Sequence, residues 1–111
     1  MFEKNLRLAS LLDFYGEVLS ERKQSVLSLY YNEDLSLAEI AEEIGISRQG
    51  VRELIKKAEE ELLFLEEKLG LEKKLKEALA QSDKIFELIK ESSVSESLSS
   101  EMERLVNILK Q

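Results

Sequence analysis

LSLAEIAEEIGISRQGVRELIKK, running from Leu35 to Lys57, is the stretch whose reading decides the fold. Within it Ala41 is small where two helices must cross, Gly45 can take the positive φ of a tight turn, and Val51 is the apolar plug between the pair. Leu37, Ile40, Ile44, Ile46, Leu54 and Ile55 fall where they close a small core beneath the two helices. Ser36 with Glu39 three residues on reads as a capping box for the first motif helix, and Ser47 as the cap of the second. The stretch therefore predicts a helix-turn-helix.

Upstream, the periodicity predicts a helix over Glu3–Tyr15, with Leu6, Leu8, Leu11, Leu12 and Phe14 apolar and Gly16 suited to a left-handed cap. Ser20 caps a further helix, Glu21–Tyr31, that buries Val26, Leu27, Leu29 and Tyr30 and ends in the turn Asn32-Glu33-Asp34. Downstream of Arg48 no breaker occurs before Gly70, so the recognition helix runs for some 22 residues, or roughly 33 Å. A fifth helix then sets Leu71, Leu75, Ala78, Leu79, Ser82, Ile85, Phe86 and Ile89 on one stripe. The serine-rich joint Glu91–Ser97 is the expected hinge before a last helix with Leu98, Met102, Leu105, Val106 and Leu109 on one face.

The class is all-α. The chain has 111 residues, no proline and four glycines, and nothing in it alternates as a strand does. Its expected organisation is a helix-turn-helix domain at 1–69 and a helical C-terminal arm at 70–111, the arm serving dimerisation or folding back on the long helix. Without cysteine there is no disulfide framework, thiol nucleophile or thiolate metal site. No apolar run approaches a membrane span, and Met1 leads into Phe2-Glu3-Lys4-Asn5 rather than a signal peptide, so a cytoplasmic location and no membrane partner are expected.

A formal charge of −7 runs against the basic excess usual for proteins that neutralise phosphates. Its distribution is uneven. Residues 1–35 hold four basic and six acidic side chains, 36–69 five and nine, and 70–111 seven and eight. Yet the start of the second motif helix carries Arg48, Arg52, Lys56 and Lys57 against Glu53 alone, a basic tip on an acidic body.

At 100° per residue from Arg48, the apolar Val51, Leu54, Ile55, Ala58 and Leu62 fall between about 240° and 340°. Arg48, Arg52 and Lys56 fall between 0° and about 80°, with Gln49 and Glu53 just beyond. Arginine can bond guanine bidentately, glutamine can bond adenine, and Lys56 or Lys57 can neutralise phosphate. Arg48, Gln49, Arg52, Glu53, Lys56 and Lys57 are thus the candidate nucleic-acid-binding residues. The plainer reading makes them surface charges paired at i,i+4 with nearby glutamates, and the other charge runs solvated helix faces.

An enzyme is not expected. There is no histidine, the serines lack an activating partner nearby, and no phosphate-cradling glycine loop is present. Glu39 and Glu43 are one turn apart, but as members of a polar helix face they make a weak metal or acid/base pair, so no cofactor is expected. Phe14, Tyr15, Tyr30 and Tyr31 close two helices and read as packing rather than as a base-stacking platform.

The run LLDFYGEVLSERKQSVLSLYYNEDLSLAEIAEEIGISRQGV, from Leu11 to Val51, resembles the YlxM-like family of small bacterial proteins, itself similar in its second to fourth helices to region 4 of sigma-70-type factors. The elements carrying the resemblance are Asp13-Phe14-Tyr15, Leu29-Tyr30-Tyr31, Ser36 to Glu43 and Ser47-Arg48-Gln49. It implies an all-helical, DNA-binding regulatory protein linked to the signal recognition particle, beside whose genes the family's gene tends to lie. Arg48, Gln49, Arg52, Glu53 and Lys56 align with the stretch by which sigma region 4 enters promoter DNA. Gly50 stands where alanine is expected, at about 1 kcal/mol of helix propensity.

Three kinds of function follow as expectations. In the first the protein is a sequence-specific DNA binder, which is favoured. In the second it uses the same basic tip on structured RNA or on the protein component of the signal recognition particle. In the third the helix-turn-helix is a scaffold for protein partners. A homodimer through the C-terminal helices is expected, because those helices carry more apolar surface than a small helical core needs.

Overall fold

Asn5 opens α1 (Leu6–Tyr15): its side chain accepts a hydrogen bond from the Arg7 N–H at 2.9 Å. The structure, a computed structural model, describes residues 5–92 and 95–111. Helix α1 therefore starts at Leu6, and the first two residues of the expected helix, Glu3 and Lys4, lie outside the described residues. Gly16 departs from expectation. Its φ is −52°, and the chain continues into a 3-10 turn over Gly16–Val18 instead of a left-handed cap. A side chain here would meet Leu12 at 3.2 Å, so the glycine serves close packing of the turn on α1.

Three further helices complete the first of two compact units, Met1–Gly70. These are α2 (Glu21–Tyr31), capped by Ser20, α3 (Leu37–Ile44) and α4 (Arg48–Leu69). Helix α4 is the post against which α1, α2 and α3 all pack. Their shared core is Leu11, Leu12, Tyr15, Val26, Leu27, Tyr30, Ile40 and Ala41 against Val51, Ile55, Ala58 and Leu62. Leu37, Ile44, Ile46 and Leu54 are half-buried at its margin. Phe14 differs from its neighbours: it meets Tyr15 edge to face but lies 38% exposed, at the rim of the core.

The second unit, Leu71–Gln111, consists of α5 (Leu71–Glu91) and α6 (Glu96–Lys110), which pack on each other. Ser95 caps α6, whereas Ser93 and Val94 of the expected hinge lie outside the described residues. Ser82 is buried on the α5 stripe and satisfies its hydroxyl by donating to the Leu79 carbonyl at 2.6 Å. On α6 Val106 is buried, while Leu98, Leu105 and Ile108 stay 49%, 48% and 60% exposed. No described helix is long and apolar enough to cross a membrane.

Candidate nucleic-acid interface

The turn between the motif helices is built from local rules. Ser36 accepts from the Glu39 N–H at 3.1 Å while the Glu39 carboxylate accepts from the Ser36 N–H at 2.9 Å, closing the capping box that starts α3. Glu39 is thereby committed to the helix end. Gly45 ends α3 at φ +77°, a conformation that would strain any residue with a Cβ. Two residues later Ser47 caps α4 by accepting from the Gly50 N–H at 3.0 Å.

All six candidate residues, Arg48, Gln49, Arg52, Glu53, Lys56 and Lys57, are exposed on the first three turns of α4. The structure divides them between two surfaces. Arg48, Gln49 and Arg52 share an open cleft of about 680 Å³ with Ser36, Leu37 and Ala38 from the start of α3. Glu53 and Lys57 line a smaller recess with Ile46, Gly50, Leu54 and, from α2, Arg22. Lys56 lies one turn beyond Arg52 on the same arc. Gln49 and Glu53 are joined, the Gln49 amide donating to the Glu53 carboxylate at 3.4 Å.

The acidic run of α4 is where the structure corrects the sequence reading. Glu59, Glu61 and Glu66 are not a freely solvated face: each is tied to another helix of the same unit. The Tyr31 hydroxyl donates to Glu59, the Lys23 ammonium pairs with Glu61 at 3.0 Å, and the Tyr15 hydroxyl donates to buried Glu66 at 2.6 Å. Burial, then the bonded Glu59 carboxylate, pushes the Tyr31 phenol up from its ordinary value. Burial also raises Tyr30, with the Glu59 charge adding to the shift and the Arg52 guanidinium opposing it.

The cations of the tip have no carboxylate partners: among the described residues, Arg48, Arg52, Lys56 and Lys57 form no ion pair, with Glu60 or with any other acid. The i,i+4 pairing that would make them ordinary surface charges is not formed. Arg22 was missed by the sequence reading. Periodicity could place it only on the polar side of α2, and no spacing within one helix reports that this side borders the start of α4.

Comparison with known proteins agrees with this architecture. A model of the YlxM / p13-like helix-turn-helix proteins, the UPF0122 family, matches residues 2–106. A UPF0122 protein of Listeria welshimeri is 42% identical over 113 residues, covering 97% of this chain and 99% of that protein. One from Clostridium kluyveri is 54% identical over 69 residues, 62% of each chain. One from Caldanaerobacter subterraneus is 46% identical over 84 residues, 76% of this chain and 72% of the relative. With its two motif helices, its glycine turn and a match over nearly its whole length, the chain belongs to the YlxM / p13-like family of helix-turn-helix proteins.

Proposed function

We propose that the Met1–Gly70 unit is a regulatory DNA-binding module that lays the first turns of α4 in the major groove of duplex DNA. The observation that carries the reading is the set of unpaired, exposed cations on the first turns of α4. A helix with its side chains is about 10–12 Å across, which suits the roughly 12 Å width of the B-form major groove. The major groove of duplex RNA is too deep and narrow to be read this way, which favours DNA. Gln49 and Glu53 lie almost opposite the core arc and would meet base edges. Once its amide is held by Glu53, Gln49 offers a carbonyl oxygen beside a carboxylate, a pair of acceptors suited to the exocyclic amino groups of cytosine and adenine. The sequence resemblance supports assigning this regulation to the signal recognition particle pathway.

The test is selection of binders from a random-sequence duplex pool by the purified full chain, with affinity followed against salt. A recovered consensus, with affinity falling steeply as salt rises, is the expected result. Retention of no duplex at low salt would overturn the reading. Preferential retention of structured RNA would move the function to the alternative, an RNA- or protein-binding adaptor of the signal recognition particle.

We also infer that α5 and α6 join two copies of the chain. Leu98, Leu105 and Ile108 lie together on a flank of α6 away from buried Val106, and Leu88 on α5 is 62% exposed. Pairing the chains would present two recognition helices to half-sites, which offsets the few phosphate contacts one copy can make. Light scattering at micromolar concentration should give a mass near twice 12.8 kDa; a mass of 12.8 kDa would sink the dimer.

A further inference from the structure

On α4 the buried arc of Val51, Ile55, Ala58 and Leu62 centres near 300°, so the arc near 120° points straight away from the unit. Gln49, at about 100°, and Glu53, at about 140°, occupy that outermost arc. Arg48 and Arg52, between 0° and about 40°, stand on one flank of it, and Lys57, at about 180°, stands on the other. A helix seated in a groove has this geometry imposed on it: its outermost arc meets the floor, and its two flanks meet the two walls. The walls of a duplex groove are phosphate backbones.

The flank occupied by Lys57 is completed by another element. Arg22, from the first turn of α2, shares with Lys57 a recess of about 220 Å³ floored by Ile46, Gly50 and Leu54, with Glu53 the only carboxylate among the described residues of its lining. Arg22 and Lys57 are both exposed, and neither forms an ion pair among the described residues. Gly50 keeps that floor open. A Cβ at this position would lie 3.2 Å from the Ser47 hydroxyl and 3.4 Å from Ile46, so alanine would narrow the floor of the recess and press on the cap of α4. This gives a physical reason for glycine at a helical position where propensity favours alanine.

We propose that Arg22 and Lys57 hold the phosphate backbone across the groove from the one held by Arg48 and Arg52, so that the unit straddles the groove and grips both strands. The proposal rests on the duplex-binding reading above and extends it to a residue outside the motif. Phosphate is the ligand that the chemistry favours, since two unpaired cations on separate helices converge at an open rim. Contacts of this kind add affinity without reading sequence.

The experiment is fluorescence anisotropy of the full chain with a labelled mixed-sequence duplex, titrated at several salt concentrations. Each of Arg22→Ala and Lys57→Ala should reduce the slope of log affinity against log salt by about one, and the double variant by about two, with a loss of roughly tenfold per residue near 0.1 M salt. Arg22→Lys should keep the parental slope, and the helical signal and melting temperature of all variants should match the parent. If Arg52→Glu lowers affinity by about a hundredfold while the Arg22 and Lys57 variants keep the parental slope, the second-wall contact is refuted and the duplex-binding reading stands. A changed base preference at unchanged slope in Arg22→Ala would also refute it, since that is the mark of a base contact. If the parent binds no duplex, both readings fall together.

Discussion

Val51→Asp is expected to abolish cooperative folding of the Met1–Gly70 unit. Val51 is fully buried where α4 crosses α3, among Ile40, Ala41, Ile55 and Ala58. The substitution forfeits the burial of an aliphatic side chain, about 1.5–3 kcal/mol, and places a carboxylate where none of its oxygens finds a donor. Neutralising that acid by protonation still costs several kcal/mol at neutral pH, and a domain of this size has about 5 kcal/mol or little more to lose. Circular dichroism should show loss of the helical signal from this unit, or a melting transition lowered by tens of degrees. Val51→Ala removes the same contacts without the charge and should leave the unit folded at a cost of about 2 kcal/mol. A Val51→Asp protein that melts like the parent would show that residue 51 does not plug the helix pair and that the register of α4 is wrong.

Arg52→Glu should have an effect as large on binding and almost none on folding. Arg52 is exposed and forms no ion pair among the described residues, so reversing its charge breaks no structural bond. Surface changes of this kind shift stability by about 0.5 kcal/mol or less. At a phosphate wall the same change removes one cation and adds an anion, equivalent to about two counterions, or roughly a hundredfold in affinity near 0.1 M salt. Anisotropy with duplex DNA measures the loss, and thermal melting guards against a folding artefact. Parental affinity in the variant would remove this face of α4 from consideration and with it the proposed mode of binding.

What could be read from the sequence was whatever depends on near neighbours. Ser36 with Glu39, Ser47 with Gly50, and Gly45 are governed by contacts within three or four residues, and the structure places each where local chemistry requires it. The buried stripe of α4 follows from the same short-range arithmetic. Tyr31 with Glu59, Lys23 with Glu61 and Tyr15 with Glu66 were not legible, since each joins residues 28 to 51 positions apart and a glutamate looks alike in sequence whether it faces water or a phenol. Gly16 misled for a related reason. A glycine at a helix end usually signals positive φ, and only the packing of Leu12 shows that here it signals lack of room. Within the candidate site, the exposed residues of α4 could be named from periodicity, whereas the contribution of Arg22 depends on how α2 lies against α4.

The division of charge along α4 also bears on time rather than strength. At low salt, where the Debye length reaches roughly 30 Å, an approaching polyanion first meets the field of a chain whose formal charge is −7; within roughly 8 Å, the Debye length at physiological salt, it meets Arg48, Arg52 and Lys56. If the unit binds duplex DNA as proposed, this far-field repulsion slows encounter at low salt. Added salt therefore raises both rate constants at once, hastening arrival by screening the body and hastening departure by competing at the tip. On the proposed duplex-binding reading, the acidic body sets how often a complex forms, and the few residues that touch the duplex set how long it lasts.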